Sequence, residues 1–140
     1  MIGDDVATAQ TALAALIRRA ALAALVRASA LYQPTSYNDA MARIAGLTGL
    51  LDAEALAAAD AGDEASYTAL RGARTAVTAD LLARGGSLPK LATVTRSRPM
   101  SALLLAWQLY GDATRVDDLV ARVQPVNALF MPASFRALAA

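Results

Sequence analysis

Carboxylates are the side chains in this sequence most able to do chemistry. Most of its 12 acids fall into four clusters: Asp4/Asp5, Asp52/Glu54, Asp60/Asp63/Glu64 and Asp112/Asp117/Asp118. Paired carboxyls about 5–9.5 Å apart across a sugar-binding cleft hydrolyse glycosides. Such clefts supply aromatic platforms, and apart from Trp107 and Tyr110 few aromatics lie near these acids. Helix capping and solvated faces account for them more simply. Asp60-x-x-Asp63-Glu64 is too short for a calcium loop and lacks its alternating ligands. Histidine and cysteine are both absent, which excludes a thiolate nucleophile, a His-based triad, a disulfide framework and an ordinary zinc site. The single lysine, Lys90, follows a proline in an expected loop, a poor setting for a Ser-Lys dyad. Gly85-Gly86 leads into Ser87-Leu88-Pro89 and has no Lys-Ser/Thr ending, so it is no phosphate loop. These residues predict no enzyme, no metal and no cofactor.

The basic residues point elsewhere. No acid falls between Asp80 and Asp112, a stretch holding Arg84, Lys90, Arg96 and Arg98, whereas residues 38–66 are net acidic. The basic run lacks interleaved aromatics for stacking on nucleic acid, and four charges give a modest, salt-sensitive affinity. The net charge of +1 creates no global field toward nucleic acid or anionic lipid. An acidic protein neighbour fits better, with Arg96 and Arg98 as docking positions.

The elements that position these residues are mostly helical. Of 140 residues, 36 are alanine, and 56% are hydrophobic against roughly 45–50% in a typical domain. Disorder is excluded, and the excess apolar surface implies a partner. Residues 4–31 read as one long helix without Pro or Gly, with Asp4 and Asp5 suited to its N-terminus. Its apolar face shifts along its length: Val6, Leu13, Leu16 and Ile17 share one side, while Leu22, Leu25 and Val26 lie nearly opposite. We expect Leu22, Leu25 and Val26 to form an interface. Arg18, Arg19 and Arg27 argue against a membrane span here, and the acidic N-terminus against a signal peptide.

Gln33-Pro34-Thr35 ends that helix, and Ser36 with Asp39 resembles a capping pair for a second, running to about Ala61 and loosened at Gly46–Gly49. Asp63 is an expected N-cap for a third helix, to Arg84, closed by Gly85-Gly86 in the C′ manner. Short turns make these an up-down-up, Ala-rich three-helix bundle over residues 1–86. Residues 88–140 form a second unit in the order strand, helix, helix, strand. Its parts are 91–95, Met100–Tyr110, a helix from Arg115 to Val123 capped by Thr114 and Asp117, and a closing strand at 135–138. Trp107 and Tyr110, three residues apart, are expected in its core. The fold class is therefore mainly α with a small β-α-α-β unit.

Leu109-Tyr110-Gly111-Asp112-Ala113-Thr114-Arg115, then Asp118-Leu119-Val120-Ala121-Arg122 and Met131-Pro132, resembles the C-terminal region of the DNA circularisation proteins of Mu-like phages. The same stretch is similar to a degenerate lysin motif (LysM). The likeness to the phage family covers roughly residues 65–140; the first two helices share only its style. Departures are visible: Pro125-Val126-Asn127-Ala128 stands for the asparagine-proline turn and Pro132-Ala133-Ser134 for proline-glycine-glutamine. The β-rich N-terminal domain of the phage family has no counterpart. The resemblance implies a structural protein of a contractile phage tail, at the hub or baseplate, assembling with other tail proteins or with itself in the virion and in the host cytoplasm during assembly. Gly111, Asp112 and Thr114 are expected in turn and cap geometry, beside Tyr110 and Arg115. Peptidoglycan binding and DNA binding are the alternatives.

Overall fold

The computed structural model describes residues 2–139. It is mainly helical, with five α-helices and one two-stranded antiparallel sheet. The helices are α1 (Ile2–Leu31), α2 (Tyr37–Asp60), α3 (Glu64–Gly85), α4 (Ala102–Tyr110) and α5 (Val116–Val123); the strands are β1 (Leu91–Thr95) and β2 (Ser134–Leu138). Two compact units result, one of residues 1–35 and 39–87, the other of residues 36–38 and 88–140.

In the helical unit, inward positions recur at alternating spacings of three and four. On α1 they are Ala15, Arg19, Leu22, Val26 and Ser29; on α2, Ala40, Ile44, Leu47, Leu51, Glu54 and Ala58. This is the period by which helices pack along a common seam. Ile44, Val77 and Leu81 form the buried centre, with Val26, Tyr32 and Leu47 packed against it. Every residue from Gly3 to Ala14 is exposed.

Local chemistry fixes the ends. Asp63 caps α3 by accepting the Ser66 N–H at 3.1 Å, as expected. At the start of α2 the Asp39 carboxylate accepts the Thr35 N–H at 3.0 Å and the Tyr32 hydroxyl at 2.7 Å. The second helix is not loosened at Gly46 or Gly49; α2 runs unbroken through both.

Gly85-Gly86 also departs from expectation. Gly86 is right-handed, with φ −65°, and no left-handed C′ residue ends α3. The glycine matters for space instead. Gly85 is buried, and a Cβ there would overlap the Cβ of Ala40. Gly85→Ala is therefore expected to lower stability by about 1–3 kcal/mol despite the better helix propensity of alanine. Adding Ala40→Gly should recover part of the loss in a thermal melt; equal melting of wild type and Gly85→Ala would contradict this close approach.

The second unit runs β1, α4, a short 3-10 turn, α5 and β2. Leu91 pairs with Leu138, Val94 with Phe135 and Thr95 with Ser134. Lys90 O and Ala133 O extend the ladder, accepting from Ala139 N and Arg96 N. Val94, Phe135 and Ala137 share one face, as the strand period of two requires, and pack on Ala102, Leu105, Ala106, Leu119 and Met131. Residues 36–38 belong to this unit: Tyr37 N–H donates to Pro89 O, and Asn38 Oδ1 accepts Leu91 N–H at 2.7 Å.

Candidate interaction surfaces

In the helical unit several acids and arginines engage one another. Glu54, only 5% exposed, occupies an inward position of α2 and accepts from Arg18 Nε at 2.9 Å and Arg19 Nε at 3.0 Å. Arg19 continues to Asp63 Oδ2 at 2.7 Å and to the Ser66 hydroxyl at 2.8 Å. One guanidinium thus links α1 to α2 and to the start of α3. Asp52 is held by Arg74 Nε at 2.8 Å, with Arg71 farther off. Among the described residues no three acids gather into a metal-binding group.

These contacts move proton affinities. The bonds from the Ser66 hydroxyl and N–H, with Arg19, bring Asp63 down to about 2. Arg18, then Arg19, hold Glu54 below its ordinary value against the opposing effect of burial. The Thr114 hydroxyl and N–H lower Asp112. Each carboxyl binds its proton less readily folded than unfolded, so its contribution is complete above the unfolded value and lost as pH falls through the folded one. The urea midpoint should stay level from pH 7 to about 5, then fall from about 4.5, the unfolded glutamate value, toward about 2, where Asp63 titrates. A level profile down to pH 2.5 would contradict it.

The expected interface residues separate. Leu22 is 8% exposed and inward, Val26 packs against the Ile44–Val77–Leu81 cluster, and only Leu25, at 44%, is open. Helix neighbours within the chain use that side, which corrects the reading of Leu22 and Val26 as an interface. Two shallow apolar grooves flank it. One of about 450 Å³ runs beside Leu22, Val26, Leu70 and Ala73, the other of about 440 Å³ beside Leu22, Leu25, Leu50 and Ala57. They exist because alanines fill little space between helices. The exposed face of α1 is the other one, with Val6 at 51%, Leu13 at 57%, Leu16 at 63% and Ile17 at 61%. The facial shift of the apolar residues carried that signal.

The basic run is not one patch. Arg84 is held by Asp80 and by the carbonyls of Ser29 and Tyr32, so it does not project for phosphate. Arg96 is half-buried with Nε enclosed and without a hydrogen-bond partner among the described residues, while Arg98 is exposed. Of the two docking positions, Arg98 alone is fully open.

At the motif, Gly111 ends α4 in the left-handed conformation, φ 67°, with its N–H on Trp107 O. Asp112 then caps a short 3-10 turn, Ala113–Arg115, accepting the Thr114 N–H at 2.9 Å and the Thr114 hydroxyl at 2.7 Å. Asp112 caps that turn only; the turn displaces the start of α5 to Val116, where no side chain caps it, so the expected pair Thr114 and Asp117 does not form. Arg115 lies over the Tyr110 ring at 4.1 Å and pairs with Asp118 at 3.7 Å. The Tyr110 hydroxyl is buried, but Trp107 is exposed, which corrects its placement in the core. Leu105 and Ala106 take the inward positions of α4 instead. Leu129 and Phe130 are exposed as well, in a loop held by Ala102 N–H on Ala128 O and Met131 N–H on Met100 O. Comparison with protein-family models and with curated proteins gives no match.

Proposed function

We propose that the protein is a structural component of a contractile phage tail, in the hub or baseplate region, acting through protein–protein assembly and not through catalysis. The single observation behind this reading is the resemblance carried by Leu109–Arg115 and Asp118–Arg122 in a chain whose large apolar side chains are exposed along one helix. An apolar face of that extent is characteristic of surfaces that other proteins cover. The residues offered for contact are Val6, Leu13, Leu16 and Ile17 on one face of α1, and, elsewhere, Leu25 and Arg98. The test is co-expression with the proteins encoded beside its gene. A stable complex with a sheath, tube or baseplate protein is expected, and the chain should appear in purified tails by mass spectrometry. Neighbouring genes without tail functions, or tails lacking the chain, would sink the reading.

A second reading, a LysM-like unit that binds peptidoglycan, is favoured by the strand-helix-helix-strand order and by the exposed rings of Trp107 and Phe130. Exposed aromatic faces are what a sugar polymer stacks against. Retention on purified cell-wall polymer, lost in Trp107→Ala or Phe130→Ala, would support it; no retention of the wild type would remove it.

A further inference from the structure

We propose that the outer face of α1 pairs with the same face of a second copy, the two helices running antiparallel. The inference deepens the assembly reading and rests on its claim that this face is a contact surface. At about 100° per residue, Val6, Ala9, Leu13, Leu16, Ile17, Ala20 and Ala24 lie within an arc of about 100°. All are exposed, and they stand opposite the inward stripe of Ala15, Arg19, Leu22 and Val26. The outer stripe has the spacing of a helix-pairing seam.

Charge decides what covers it. Arg27 sits at the edge of this stripe and Asp5 on the same edge, near the other end of the helix. Neither makes an ion pair among the described residues. In an antiparallel pair centred between Leu16 and Ile17, Leu16 meets Ile17 of the second copy. Leu13 meets its Ala20, Ala9 its Ala24 and Val6 its Arg27, which then lies one residue, about 1.5 Å along the axis, from the level of Asp5. The two-fold axis keeps like edges together, so both Asp5–Arg27 contacts form. Leu13 is thereby set against the small Ala20, while Leu16 packs on Ile17 at the centre. A parallel pair would instead set Asp5 level with Asp5 and Arg27 level with Arg27, leaving neither beside an opposite charge. Gly3–Leu31 is also long and apolar enough to cross a bilayer. There, however, Arg27 on the outer stripe would meet lipid unanswered.

The test uses the full chain, whose lack of cysteine makes crosslinking clean. Sedimentation should show a dimer, and Leu13→Glu with Ile17→Glu should give a monomer of unchanged helicity, since both residues are exposed. Asp5→Arg should weaken dimerisation about tenfold, and the double variant Asp5→Arg/Arg27→Asp should restore it. Leu13→Cys mixed with Ala20→Cys should form a disulfide between the two variants and little within either alone, because the bond needs Cα atoms about 5.5–6 Å apart. Self-crosslinking of Leu13→Cys, indifference to Asp5→Arg, or a monomer at high concentration would overturn the pairing. So would a wild-type monomer that floats with phosphatidylcholine vesicles, which assigns the face to lipid. A monomer that still binds a tail protein would remove the self-pair and leave the assembly reading standing.

Discussion

Replacing Leu119 with alanine is expected to unfold the second unit while α1–α3 keep their helicity. Leu119 is fully buried and is the only buried residue of α5. It packs among Ala102, Leu105, Ala106, Met131, Phe135 and Ala137, three of them alanines, so the core around it is thin. A buried Leu→Ala change costs about 3–5 kcal/mol when its surroundings cannot collapse into the space. A core in a unit this small supplies stability of about the same size. No disulfide or metal site among the described residues adds to it. Amide NMR should show strand and α4–α5 resonances collapsing to narrow dispersion. Ellipticity at 222 nm should fall only slightly, because most of the helix lies in α1–α3. A variant with full dispersion and a melting temperature close to wild type would show that Leu119 does not hold this core.

The second large effect concerns Glu54. Glu54→Leu should destabilise the helical unit by about 3 kcal/mol, since Arg18 and Arg19 lose the carboxylate between them. Arg18 is half exposed and can turn to water, whereas Arg19 is more enclosed and keeps only Asp63 and Ser66. The loss should be milder for Glu54→Gln, which keeps an acceptor. Glu54→Leu combined with Arg19→Leu should recover most of the stability, because an apolar pair of similar volume removes the buried charge altogether. Urea midpoints of the two single variants and the double variant give the coupling. A loss under about 0.5 kcal/mol for Glu54→Leu would mean that water screens the cluster as it does a surface salt bridge.

Much of the secondary structure was legible. Pro34 had to end α1, Asp63 had the side chain to cap α3, and the β-branched run at 91–95 could pair with the closing segment. The motif turn was legible in part. Gly111 had the freedom that φ 67° requires, but whether Asp112 or Thr114 would cap depended on an inserted 3-10 turn. Gly85 looked like a helix end; only its closeness to Ala40 revealed a packing role. Trp107 and Tyr110 were assigned together by their spacing of three, yet one ring is open and the other has a buried hydroxyl.

The sequence by itself determined that α1 has two apolar faces, because helical period depends only on the order of residues. It also excluded nucleophilic chemistry through thiol or imidazole, since those groups are missing. Only the tertiary structure decided which face turns inward. Alanines on both sides make the faces nearly equal in hydrophobicity, so contacts from distant residues, Glu54 and Asp63 on Arg19 and Ile44 and Leu81 near Val26, select one. Such pairings bring together residues far apart in the chain, and no local pattern encodes them.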